Sequence, residues 1–204
     1  MSGAPAYELL QAARRVDWRF LLPDPDLGRT AYLGRPDEPL LDALARCAAE
    51  LTSAPAAERA SRAADAPALF DLVVLVDPRP AELALAPSLL RPDGWLYAEH
   101  TRPLATRVRG AAAFPETAIR TLEALGFVEV QAHWHWPDFA SCEEIVPLGD
   151  AAAIRHMLAR RRVYGARTKV ALARLLLFGG LFGAAVPHVS IVGRRSERAE
   201  RGAR

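Results

Sequence analysis

Residues 69 to 77, LFDLVVLVD, form a nearly unbroken run of Leu, Val and Phe that closes on an acidic residue. The run lacks the alternation of a half-solvated strand, so it reads as a strand covered on both faces, as in a parallel sheet. It marks the expected centre of a sheet.

The flanking segments supply the layers such a strand needs. Downstream, residues 80 to 90 carry Leu83, Leu85, Leu89 and Leu90 in a helix that Pro87 must kink or end, and RPDG then turns the chain into a second buried strand, WLYAEH. FPETAIRTLEALGF opens on Pro, spaces Ile119, Leu122 and Leu125 for one helical face and stops at Gly126, before the strand FVEVQAHWHW. Upstream, RTAYLG is a short strand, and PDEPLLDALARCAAEL sets Leu40, Leu41, Leu44 and Cys47 on one helical face. AYELLQAARRV reads as a helix, and DWRFLLPDPDLG, broken by Pro23 and Pro25, as a loop. Residues 53 to 68 hold no large apolar side chain and form a loop or marginal helix. HVSIVGRR closes the chain as a strand.

Strands alternating with helices predict an α/β domain with a mostly parallel sheet, whose ligands lie beyond the carboxyl ends of the strands. With 204 residues, 51% of them hydrophobic, there is material for one core. Sixteen prolines and thirteen glycines exclude coiled coil and collagen. The two cysteines, Cys47 and Cys142, exclude a disulfide framework and a cysteine-rich zinc module, and fit a reducing cytosol. The first fifteen residues lack the apolar core of a secretory signal, so the expected location is cytoplasmic.

The net charge of +2 conceals a division. Residues 1 to 154 carry 14 basic and 22 acidic side chains, a balance of −8, whereas residues 155 to 204 carry 12 and 2, a balance of +10. Most of that basic charge falls in an insert between Pro137 and Pro187, where the amphipathic AAAIRHMLARRR precedes the largely apolar VALARLLLFGGLFGAAVP. Thirteen uncharged residues from Leu175 are too few to span a bilayer, for which roughly 20 are needed. The insert reads as a helical cap packing Leu176, Phe178, Leu181 and Phe182 on the sheet, or as an interaction surface for a protein partner or an anionic membrane through residues 155–187. No nucleic-acid recognition motif is present.

FDLVVLVD, a helix and then LLRPDGWLYAE resemble the fourth strand, fourth helix and fifth strand of the class I S-adenosylmethionine-dependent methyltransferases, where LxPGGxL is typical. The helix ending LGF, the following strand, the insert and the final SIVGRR strand are similar to that family's closing hairpin, with its antiparallel last strand. The resemblance covers residues 29 to 195 and implies a Rossmann-like mostly parallel sheet with a C-terminal antiparallel strand and a helical insert before it. It divides the chain into an N-terminal helix and loop (1–28), the domain itself (29–195, with 137–187 as the cap) and a disordered basic tail (196–204).

The resemblance also implies S-adenosylmethionine as cofactor, a small-molecule substrate of biosynthesis, and SN2 methyl transfer. Gly34, Asp37, Thr52 and Asp77 then line the cofactor side, His100 or His133 takes the acceptor's proton, and His135 and Trp136 line the substrate pocket. The chain departs from the family pattern at the cofactor loop: Tyr32 replaces the opening acid, and Pro36 and Glu38 stand where later glycines belong. Thr52 and Ser53 occupy the place of the ribose-binding acid. The departures define the competing function class, an inactive methyltransferase-like binding or scaffold protein that uses its basic cap.

Other constellations have ordinary readings beside the chemical ones. Asp77-Pro78-Arg79-Pro80 is similar to the DPPY motif of amino-methylating enzymes, with Pro80 in the aromatic place, and is also a strand-ending turn. In His133-Trp134-His135-Trp136, alternation puts both histidines on one face and both tryptophans on the other. Two histidines with Glu143 or Glu144 do not define a metal site, so none is assigned.

Overall fold

A computed structural model describes residues 4–34, 36–53, 70–102, 114–160, 173 and 175–196. Its elements in chain order are α1 (Ala4–Arg15), a 3₁₀ turn (Asp17–Leu21), β1 (Arg29–Gly34), α2 (Glu38–Cys47), β2 (Glu50–Ser53), β3 (Phe70–Val76), α3 (Pro80–Leu89) and β4 (Leu90–Thr101). There follow α4 (Glu116–Ala124), β5 (Phe127–Trp136), β6 (Glu144–Pro147), α5 (Ala151–Arg160), the short α6 (Phe182–Ala185) and β7 (His188–Arg195).

The described strands form one seven-stranded sheet in the order β2-β1-β3-β4-β7-β5-β6. β2, β1, β3 and β4 are parallel; β7 is antiparallel to both β4 and β5, and β6 is antiparallel to β5. The 69–77 run is the third strand of the row, and Leu72 to Val76 pair in parallel with Trp95 to Glu99. Mostly parallel with an antiparallel closing strand, the sheet is the one the sequence predicts.

Strand alternation divides the core into two layers. Ala31, Leu33, Val73, Leu75, Leu96, Ala98, Trp134 and Ile191 meet α3, α4 and α5 on the first face. Tyr32, Leu72, Val74, Tyr97 and Val192 meet Leu40 and Leu44 of α2, together with Val16, Trp18 and Leu27, on the second. The segment read as a loop after α1 is therefore a wall of the core: Trp18 is 1% exposed and stacks on Tyr97, with ring centroids 3.7 Å apart.

Several local readings change. RPDG is no turn between elements; α3 runs directly into β4, and Arg91–Gly94 bulge out opposite Asp71, whose carboxylate takes Arg91 Nε at 2.6 Å. β6 was invisible within the insert because four residues paired to one neighbour carry little pattern. The apolar stretch breaks at Gly179-Gly180, and although Phe182 is buried and Leu176 packs on the first-face core, Phe178 is 93% exposed and Leu181 44%. The expected packing of Phe178 and Leu181 on the sheet is thus corrected. No described helix is long and apolar enough to cross a membrane. Of the loop or marginal helix read at 53–68, Ser53 ends β2, and residues 54–68 lie outside the described residues, as do the arginines 161, 162, 167 and 174 with Lys169 and the tail beyond 196.

Candidate functional site

β1, β3 and β4 end side by side, and β2 and β3 flank β1, so the chain reverses its direction of winding there. Such a switch point opens a crevice beyond the carboxyl ends of the strands. A cleft of about 340 Å³ occupies it, lined by Pro36 and Asp37 after β1, Val76 and Asp77 at the end of β3, and Glu99 and Thr101 at the end of β4. Asp138 and Phe139 from the insert, and His188, close the far side.

Arg15 forms the floor. The last turn of α1 delivers it, 4% exposed, between β4 and the start of α2. Nη1 and Nη2 donate to the two Glu99 oxygens at 2.6 Å each, and Nη2 also donates to Asp37 Oδ2 at 3.0 Å. Tyr97 Oη donates to Glu99 Oε1 at 2.9 Å. Burial opposes the Arg15 charge, and the hydrogen bonds and charge of Glu99 more than offset it, so Arg15 lies above its ordinary pKa. Beside them, burial and the charges of Asp37 and Glu99 push the Tyr32 hydroxyl up to about 12.

The other carboxylates have structural duties. Asp37 caps α2, accepting from Leu40 N–H at 3.0 Å. Asp77, at φ 46°, accepts from Thr101 N–H at 2.6 Å, and its own N–H donates to the Glu99 carbonyl at 2.8 Å. Asp138 accepts from the N–H and hydroxyl of Ser141 at 2.7 and 2.9 Å; burial raises its carboxyl, but these bonds hold it below the usual range. Gly34, at φ 126°, is required by packing, since a Cβ there would stand 2.6 Å from the Val76 carbonyl oxygen.

Of the residues singled out in the sequence, Asp37 and Asp77 line the cleft, and Gly34 ends β1 beside Val76. Thr52 pairs opposite Ala31 near the end of β2, one strand beyond the cleft lining. The histidines and tryptophans of β5 divide as alternation predicts: Trp134 and Trp136 meet edge to face on the first face, and Trp134 packs on Phe182 of the insert. His135, on the second face, is 2% exposed; its Nε2 pairs with Ser190 Oγ at 2.8 Å, and burial pulls its pKa down to about 3. His133 is 5% exposed and likewise drawn to about 4 by burial. His100 follows Leu96 and Ala98 on the first face, beside the Phe114 ring, and burial takes it to about 4. His100 and His133 therefore stand on opposite faces of the sheet and do not share a site.

Arg15, Trp18 and Phe139 carry no signature in the sequence. A charge pair 84 positions apart leaves no periodic mark in one sequence. Only the Asp138-x-x-Ser141 turn had a local signature.

No family model matches the chain, and no curated protein matches it. Solved structures do. An S-adenosylmethionine-dependent methyltransferase from Archaeoglobus fulgidus is 14% identical over 92% of this chain and 94% of its own, with a TM-score of 0.51. A second such enzyme, from Thermotoga maritima, is 12% identical over 93% and 89%, with a TM-score of 0.45. The N-methyltransferase NodS from Bradyrhizobium japonicum is 15% identical over 97% and 100%, with a TM-score of 0.42. The first of these likenesses is one of fold: the chain has the Rossmann-like sheet of the class I methyltransferases.

Proposed function

We propose that the chain binds S-adenosylmethionine in the carboxyl-end cleft and directs its methyl group to a small molecule. The observation that carries this reading is the cleft itself, at the switch point between β1 and β3 and walled by the ends of three parallel strands. Its volume is at the small end of ligand pockets, roughly 300–1,000 Å³.

The donor set fits the cofactor in charge. Among the described residues, Asp37, Asp77, Glu99 and Asp138 line the cleft against the one guanidinium of Arg15, an excess of negative charge suited to a sulfonium and an ammonium group. When bound, S-adenosylmethionine supplies an electrophilic methyl carbon. The protein's share is positioning. Asp37 and Asp77 border the cofactor side, with Gly34 behind them. Phe139 walls off water at the insert side, and in this reading His188, which lines the same cleft, takes the acceptor's proton in preference to His100 and His133.

Titration calorimetry with S-adenosylmethionine and its demethylated product tests the reading. Saturable binding, weakened at least about tenfold by Asp77→Asn, is expected. No heat from either ligand at millimolar concentration, with the protein's urea transition intact, overturns it.

A second reading rests on a different observation. Leu175, Phe178 and Leu181 are 66%, 93% and 44% exposed, close in sequence to the basic segment. A domain that has lost catalysis would use this surface against an anionic membrane. Flotation with phosphatidylserine vesicles that Phe178→Ser abolishes, in a protein without affinity for the cofactor, favours it. Indifference to those vesicles at low salt removes it.

A further inference from the structure

We propose that Asp93 is a site of spontaneous backbone modification, its conversion to isoaspartate through a cyclic imide with Gly94, and that Arg194 is the clamp that slows it. The site lies near the start of β4, and its chemistry is independent of what the carboxyl-end cleft binds.

The chain has no asparagine, and of its aspartates only Asp93 is followed by glycine. A glycine has no β-carbon to shield its backbone nitrogen, so that nitrogen can reach the carboxyl group of the residue before it. The structure explains why the pair is kept. The β3–β4 register passes from Phe70–Leu90 to Leu72–Trp95, which leaves Arg91–Gly94 outside the ladder as a protrusion. Gly94 closes it: a Cβ there would lie 3.0 Å from the Arg91 carbonyl oxygen and 3.1 Å from that of Phe70. Asp93 takes φ 62°, a conformation that aspartate tolerates better than most residues. Packing thus resists any larger residue at 94, and the protrusion carries the reactive dipeptide as a consequence of its shape.

The chemistry needs no partner but water. Gly94 N attacks Asp93 Cγ, and the carboxyl hydroxyl leaves with the amide proton as water, closing a five-membered imide. Water then adds at the main-chain carbonyl carbon of Asp93 and breaks its bond to Gly94 N. The chain afterwards runs through Cγ, and a free carboxylate stands on Cα. Nothing is oxidised or reduced, and the mass is unchanged.

The attack requires the Asp93 side chain to turn toward Gly94, and Arg194 opposes that turn. Its Nη1 donates to Asp93 Oδ1, while Nη2 and Nε donate to Glu129 Oε1 at 2.6 and 3.1 Å. Glu129 belongs to a bulge of its own, at φ 55°, where the β5–β7 register shifts between Val128 and Gln131. Gripped by Glu129, the guanidinium keeps the Asp93 carboxylate on β7. The Asp93 side chain is 46% exposed and that of Arg194 31%, so water has access to the imide and salt weakens the clamp.

The test is incubation of the full chain at 37 °C and pH 7.4, followed by peptide mapping with electron-transfer dissociation, which tells isoaspartate from aspartate by its backbone fragments. Isoaspartate is expected first at position 93. Its rate should rise at least about threefold in Arg194→Gln with its urea transition intact, the scale of an exposed ion pair. Glu129→Gln, which leaves the Asp93 pair in place, should stay near the rate of the unaltered chain. About 1 M NaCl should speed the unaltered chain without speeding a peptide of residues 90–98, and this arm stands should Arg194→Gln not fold. No isoaspartate at 93, first conversion at another aspartate, or equal rates for Arg194→Gln and the unaltered chain overturns the proposal. Where that variant does not fold, equal rates at low and high salt overturn it.

Discussion

Arg15 and Glu99 show how a single contact can organise a site. Both are nearly solvent-free, and their two 2.6 Å hydrogen bonds join the N-terminal helix to the end of β4. Removing one partner strands the other charge, so Arg15→Ala should lower stability by about 3–5 kcal/mol in urea titrations. Arg15→Met combined with Glu99→Leu should recover more than half of that loss, because no buried charge is then left alone. The second-face histidines make a different prediction. His133 and His135 have folded pKa values of about 4 and 3, below the unfolded value near 6.5, so the unfolded chain binds more protons in between. The stability from keeping them neutral is complete above about pH 6.5 and declines as pH falls toward 4 and 3, with His133 alone contributing about 3 kcal/mol. Urea midpoints should drop steeply from pH 7 to pH 4.5, and His133→Phe should flatten part of that slope.

Among the elements, the long strands were legible, whereas the four-residue β6 and the irregularities were not. β5 and β7 have the bounds that alternation and apolar runs give, FVEVQAHWHW and HVSIVGRR, because burial on a sheet imposes period two on every residue. The bulge at Glu129 and the protrusion Arg91–Gly94 break that period for one to four residues, too briefly to register beforehand. Gly34 was legible as a special position but for another reason. The family resemblance assigns it to ligand approach, whereas here it lets β1 lie against the Val76 carbonyl. Gly34→Ala should therefore cost about 2 kcal/mol or more of unfolding free energy even with no ligand present, measured by denaturant titration. An unchanged midpoint would return the glycine to the ligand-approach role alone.

At the scale of the molecule, the sheet order and the place of the cleft follow from the succession of elements, and Asp37 and Asp77 were within reach of that logic. What could not be read was the N-terminal wall. Arg15 and Trp18 precede the first strand, and their partners Glu99 and Tyr97 come some eighty positions later. A chain beginning at residue 24 should lose its cooperative thermal transition, followed by near-ultraviolet circular dichroism, since it uncovers Tyr97 and leaves Glu99 buried without its cation. Retention of a sharp transition would show that the first helix is an accessory.

β7, the final strand, lies between β4 and β5. On a ribosome, the β4 edge has no neighbour until the roughly ninety residues from Thr101 to Arg195 have been made. At roughly 5–20 residues per second that is on the order of ten seconds of open hydrogen-bonding edge. Yield in a cell should then be governed by how fast translation finishes and by what shelters the nascent chain meanwhile, more than by the stability of the finished protein.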